Sequence, residues 1–330
     1  MSPLLLILAW PVTAFLCVLP AATAEPAAST IEDTKGFSAF WDATRSELAA
    51  VPLEPSLEPD PAHTDSKAAC FKASWRSLGR VLVHARYCRP TGDGPFPAVL
   101  INPWYSQGAI PPPRGLAERG AAALWYQARG FEVDRSSYPL SNSWYILEGL
   151  PSRETFVYRG IVSHGWRGLD FLSSRPEVDA TRLAVMGASQ GGGLSLILAG
   201  LDARVRFAAA DFPFLSDWST SMKGGKSLYG QVRKFIEERP TDRDETTLTL
   251  QLFDALSAAD AIAVPTLVQL GLKDEKCPPP GIRRVFARLG SKDKKLVEYP
   301  DTGHEDRNAE RWQAMEDWVV GRLRPLPSRR

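Results

Sequence analysis

The 330-residue sequence predicts an α/β protein with a mainly parallel central sheet flanked by helices. Three observations carry this reading. Compact apolar runs such as "PAVLIN", "RLAVMG" and "PTLVQLG" have the length and bounding residues of buried strands. Stretches with helical spacing, such as "YRGIVSHGWRGLDFLSSR" and "ERWQAMEDWVVGRL", alternate with them, as a sheet covered by helices requires. No internal repeat and no second composition regime divides the chain, so one catalytic domain is expected over residues 61–330. With 44% hydrophobic residues, 23% charged residues and a formal net charge of +1, nothing points to nucleic acid or an acidic membrane surface as partner.

Residues 1–24 carry no charged side chain and end in Ala22-Thr23-Ala24. An apolar run closed by proline and small residues is the pattern of a cleaved secretory leader, so a secreted or periplasmic protein is expected. The alternative is a retained N-terminal membrane anchor, because the run is nearly long enough to span a bilayer. Residues 25–60 form an arm and a connector. "FSAFWDATRSELAAV" places Phe40, Trp41, Leu48 and Val51 near helical spacing, and the Pro-rich "PLEPSLEPDPA" follows.

"CFKASWRSLGRVLVHARYC" reads as a hairpin turning at Gly79, nine residues from each of its terminal cysteines. Opposed cross-strand residues lie within disulfide reach, so Cys70 and Cys88 are expected to pair. Cys277 is then left over, and in an exported chain it is either buried or reactive. Further strands are expected at "FEVDRSS", "VRFAAADF" and "KLVEY". Helices are expected at "ERGAAALWYQARG", "GLSLILAG" and "RRVFARLG".

Residues 187–193, "GASQGGG", sit between the strand "RLAVMG" and the helix "GLSLILAG". A dinucleotide loop needs G-x-G-x-x-G after a first strand and a phosphate loop needs G-K-[ST], and neither spacing is present. Strand, sharp turn and helix with Ser189 at the apex make a nucleophile elbow, and Gly187 and Gly191 are the small residues its crowded turn demands. The N–H of Gln190 then points to where an oxyanion would form. Serine needs a base, and the base an orienting acid, each just after a later strand. Of four histidines, His63 and His84 precede the serine, and His164 falls in a helix as a surface or packing residue. His304, after "KLVEY", is the one in place. Asp274, after "PTLVQLG", is the favoured acid, with Asp211 its rival and Asp301 a turn residue. In "LINPWYSQG", Pro103 has no N–H, so Trp104 or Tyr105 must supply the second oxyanion donor. No cluster of His, Cys or Asp has metal-ligand spacing, and no cofactor is implied.

"GASQGGG", "GHE" and "GLKDEKCPP" resemble the elbow, histidine and acid-loop motifs of the acetyl xylan esterase / cephalosporin-C deacetylase family. "VYRG", "LSSRPEVD", "DFPFL" and the N-terminal "FSAFWDATRSELAAVPLEPSLEP" are similar to further stretches of that family. The resemblance runs from about Phe37 to beyond His304. It implies an α/β-hydrolase fold, Ser189, Asp274 and His304 as triad, removal of acetyl groups from small carbohydrate esters, and a homo-oligomer. Two stretches depart from the pattern. "EVDRSSYPLSN" replaces an R-G-Q motif, with Arg135 too early to stand for its arginine. Asn102-Pro103-Trp104 replaces H-G-Y. A serine carboxylesterase is therefore expected. The alternatives are a hydrolase for bulkier esters or peptides, and a hydrolase-fold binding protein without turnover.

Overall fold

The computed structural model describes residues 34–105, 109–129, 138, 140, 145–304 and 309–324. The expectations for the leader at 1–24, the strand "FEVDRSS", Arg135 and Glu305 lie outside the described residues.

Nine strands form one sheet: β1 (Ser56–Pro59), β2 (Ala68–Arg76), β3 (Leu82–Pro90), β4 (Phe96–Ile101), β5 (Ala122–Tyr126), β6 (Val178–Ala188), β7 (Val205–Asp211), β8 (Thr266–Gly271) and β9 (Lys294–Tyr299). Their spatial order is β1-β2-β3-β5-β4-β6-β7-β8-β9. The first three strands run antiparallel, and β3 is antiparallel to β5. From β5 to β9 every pairing is parallel. Gly79, at φ +70°, makes the turn of the β2–β3 hairpin. The register sets Cys70 opposite Cys88, and a disulfide joins them.

The helices are α1 (Thr34–Ala49), α2 (Arg114–Glu118), α3 (Val157–Ser173), α4 (Gln190–Leu201), α5 (Trp218–Gly224), α6 (Leu228–Glu238), α7 (Arg243–Leu252), α8 (Ala255–Ala258), α9 (Pro279–Arg288) and α10 (Ala309–Leu323). Phe37, Trp41 and Leu48 form the buried face of α1, and the Trp41 indole N–H donates to the Leu252 carbonyl oxygen at 2.9 Å. Two aromatic neighbours, Trp166 and Phe253, meet the Trp41 ring edge-on and tie α1 to the rest of the fold. On one side of the sheet, α10 packs Met315, Val319 and Leu323 against Val99, Ile101 and Met186. The helix α4 is apolar nearly all round and its residues 190–199 are buried, as befits a helix enclosed by its neighbours.

Three features differ from the sequence expectation. "AALWY" within "ERGAAALWYQARG" is strand β5, not helix, and all five residues are buried. An apolar run covered on both faces has no polar alternation to separate strand from helix, and its three leading alanines (121–123) bias the reading to helix. In the Pro-rich connector, Ser56–Pro59 adds an edge strand, a place that tolerates proline. Between β7 and β8, helices α5 to α8 fill residues 218–258, a region the apolar pattern leaves blank.

Candidate active site

Strand β6 ends at Ala188 and α4 begins at Gln190, so a single residue, Ser189, makes the turn. Its backbone is strained, at φ 54° and ψ −119°, a region that L-residues rarely occupy. The turn is held by three backbone bonds: Ser189 N–H to Asp211 O at 2.9 Å, and Ser189 O accepting from Phe214 at 2.8 Å and Gly193 at 3.1 Å. The crowding explains the glycines. A Cβ on Gly187 would meet the Gly191 carbonyl carbon at 2.5 Å, and one on Gly191 would meet the Asn102 oxygen at 2.2 Å. On Gly193 it would fall 1.9 Å from the Phe214 oxygen, so this glycine lets α4 seat against the segment after β7.

The loops after β8 and β9 bring Asp274 and His304 to this serine. His304 Nε2 lies 3.3 Å from Ser189 Oγ, and Nδ1 lies 2.9 Å from Asp274 Oδ2. Asp274 Oδ1 accepts the backbone N–H groups of Lys276 and Cys277, each at 2.8 Å, which fixes the carboxylate plane. All three side chains are buried, and the Phe212 ring packs edge-on against the imidazole at 4.8 Å. The arrangement can pass a proton from serine to imidazole while a fixed carboxylate faces the other ring nitrogen. A cavity of about 130 Å³ opens above it, bounded by Trp104, Tyr105, Phe214, Ser227, Leu228 and Cys277.

Cys277 is free and buried, with its Sγ 4.0 Å from Ser189 Oγ, and burial pushes its thiol well above the ordinary range. A thiol so raised stays protonated and weakly nucleophilic. In the fold, Asp274, Cys277 and His304 offer ligand atoms within 4.8 Å of one another, a proximity separate from the spacing along the chain. Linear spacing could not show this, because the loops converge only in the fold. The carboxylate is already held by two N–H groups and the imidazole, so the triad geometry accounts for the cluster.

Gln190 does more than its backbone N–H suggests. Its side chain is fully buried, and Oε1 accepts the hydroxyls of Tyr145 and, at 2.7 Å, Tyr158. Its Nε2 donates to Pro103 O at 3.2 Å. Gln190 thereby fastens the 102–105 segment, where Trp104 and Tyr105 sit, to the elbow. Tyr105 stacks on Tyr145 at 4.1 Å, and Trp104 meets Trp125 edge-on at 4.7 Å. Sequence reading missed Tyr145 and Tyr158, since a tyrosine in an apolar stretch reads as plain core.

The rival residues have other partners. Asp211 is ion-paired with Arg311 of α10, another residue the sequence did not single out. Burial pushes its carboxyl up to about 6, although Arg311 pulls the other way. Arg311 also donates to Thr302 Oγ1 at 3.3 Å, and Thr302 O accepts the Lys273 N–H at 2.9 Å. The guanidinium thus joins the end of β7 to the histidine loop, whose Thr302 carbonyl in turn holds the acid loop. Asp301 is exposed and pairs with Lys273 at 2.9 Å, and His63 pairs with Asp60 at 2.9 Å. His84 stands on β3, away from the elbow by strand order. His164 is fully buried against Arg129, so it is a packing residue and not a surface one.

A family model described as acetyl xylan esterase (AXE1) matches residues 24–321. The acetyl esterase Axe7A of Xylanibacter ruminicola is 26% identical over 263 residues, which cover 75% of this chain and 58% of that protein. This chain therefore spans little more than half the length of that relative. Among solved structures, an acetyl xylan esterase from Paenibacillus sp. R4 superposes with a TM-score of 0.80 at 28% identity, covering 86% of this chain and 94% of its own. Acetyl xylan esterase 1 from Thermoanaerobacterium sp. JW/SL YS485 gives 0.77 at 25% identity, covering 89% and 94%.

Proposed function

The chain belongs to the acetyl xylan esterase family, and from that premise we propose that it is a carboxylic ester hydrolase that removes short acyl groups, acetyl above all, from carbohydrate esters. The observation that carries the reading is the hydrogen-bonded chain Asp274–His304–Ser189 beneath a pocket of about 130 Å³. A cavity of roughly 150 Å³ holds a benzene molecule, so this space, which the ester must share with part of its alcohol, favours a short acyl group.

In the proposed mechanism His304 takes the Ser189 proton as Oγ attacks the ester carbonyl. The developing oxyanion is met by the Gln190 N–H and by a backbone N–H of Trp104 or Tyr105. Imidazolium, steadied by Asp274, returns the proton to the leaving alcohol. Water then repeats the sequence on the acyl-enzyme and frees the acid. Ser189→Ala is expected to lower kcat on 4-nitrophenyl acetate by about 10⁴-fold or more, and wild-type turnover in that variant would exclude the mechanism. Activity on 4-nitrophenyl esters is expected to fall steeply beyond short acyl chains.

We also propose that the protein is exported and loses residues 1–24, with 25–60 as an arm on the catalytic domain at 61–330. Intact mass of the protein from its native host tests the cleavage. No helix among the described residues is long and apolar enough to cross a membrane.

A further inference from the structure

A second serine in the pocket shares the backbone of the first. Ser227, at the start of α6, has φ 55° and ψ −119°, against 54° and −119° for Ser189. Such a conformation is strained for a residue other than glycine. At Ser189 the nucleophile's geometry explains the strain, and Ser227 has no such task.

The ordinary reason for a serine at this position is missing. Ser227 is the N-cap of an 11-residue helix, yet its side chain makes no capping hydrogen bond. An N-cap serine normally accepts an N–H of the first turn. Here Ser227 lines the same cavity as Ser189 and His304. The loop before it is anchored: the Lys226 N–H donates to the Glu275 oxygen at 2.7 Å, which ties it to the acid loop. At Gly225 a Cβ would meet the Ser221 oxygen at 2.5 Å, so the approach to Ser227 is itself tight. A strained residue persists only where its surroundings over-determine it, and glycine would relieve the strain at the cost of the hydroxyl.

The chemistry of the ester limits what that hydroxyl can serve. The acyl carbonyl oxygen belongs to the oxyanion donors, and an acetyl methyl forms no hydrogen bonds. What remains is the alcohol side. We propose that Ser227 Oγ is a specificity-determining contact to an oxygen on the leaving alcohol, selecting esters of polyhydroxylated alcohols over esters of plain alkyl or aryl alcohols. This rests on the reading of Ser189 as nucleophile and names the alcohol that site accepts.

The test compares a mono-acetylated methyl xyloside with cyclohexyl acetate, six-membered rings with and without hydroxyls. For Ser227→Ala, kcat/KM on the xyloside ester is expected to fall about tenfold, mostly through KM, with cyclohexyl acetate within twofold of wild type. Ser227→Gly is expected to show the same selectivity loss with a higher melting temperature, and it decides the matter if the alanine variant does not fold. Equal losses on both esters, or no loss on the xyloside ester, overturn the proposal. So does a wild-type enzyme that shows no preference for the xyloside ester. Ser189→Ala is run alongside: if it keeps turnover, the nucleophile reading itself has failed. If it is inactive while Ser227→Ala is unselective, only the role of Ser227 falls.

Discussion

The side chains of Gln190 and Arg311 show how much of this site rests on groups that need not touch substrate. Gln190 accepts two buried tyrosine hydroxyls and donates to the Pro103 carbonyl oxygen. Gln190→Ala removes the acceptor that two buried tyrosine hydroxyls share and the donor to the Pro103 carbonyl, and a buried hydrogen bond lost from one side costs about 1–3 kcal/mol. A lower melting temperature and a fall of about ten- to a hundredfold in kcat/KM on 4-nitrophenyl acetate are expected, because the 102–105 segment loses its tether. Arg311 acts through its charge. Arg311→Met strands the buried Asp211 carboxylate, and breaking a buried pair from one side costs about 3–5 kcal/mol. The double variant Asp211→Asn/Arg311→Met carries no stranded charge, so it is expected to recover much of the lost melting temperature. A double variant no more stable than Arg311→Met would count against this account.

Two elements can be perturbed separately because the sheet keeps them apart. The β2–β3 hairpin lies toward one end of the sheet, with β5 and β4 between it and β6, the strand that leads into Ser189. Its disulfide closes a sequence separation of 18 residues, for which loop entropy suggests a stabilisation of about 3 kcal/mol. Cys70→Ala/Cys88→Ala is therefore expected to melt at lower temperature while the folded fraction keeps wild-type kcat. At the start of α4 the reverse holds. Gly193→Ala drives a methyl into the Phe214 carbonyl, which can yield only by moving backbone. Its main effect is expected on the elbow: loss of activity, with soluble protein whose melting transition is lowered.

Across the whole molecule, buried carboxyls couple stability to pH. Burial is the largest cause in both cases, raising Asp211 to about 6 and Asp254 to about 7 from the ordinary 3.8. The native state thus holds protons that the unfolded chain releases above about pH 4. Stability from these two groups is full below that pH and is lost as pH rises through about 6 and then about 7. Asp254 accepts the N–H groups of Asp217, Trp218 and Leu256, so it braces the helices between β7 and β8. Asp254→Asn is expected to show a shallower decline of melting temperature between pH 5 and 7.5 than wild type. A parallel decline would place the titration elsewhere.

The sequence by itself determined the sheet-and-helix alternation, the hairpin with its cysteine register, the elbow, and the order Ser189, Asp274, His304. Each of these is local: a run of apolar residues, a glycine two positions from a serine, or a polar residue in the loop just after a strand. It misread β5 because a strand buried on both faces lacks alternation, and it left helices α5 to α8 blank. Only the tertiary structure decided that Asp211 pairs with Arg311, 100 residues away in sequence, and that the Gln190 amide binds Tyr145 and Tyr158. The same is true of Ser227 lining the pocket and of Cys277 packed beside Ser189. Those contacts join loops distant in sequence, and no spacing rule reaches across them, because it is the packing of the sheet that sets the distances.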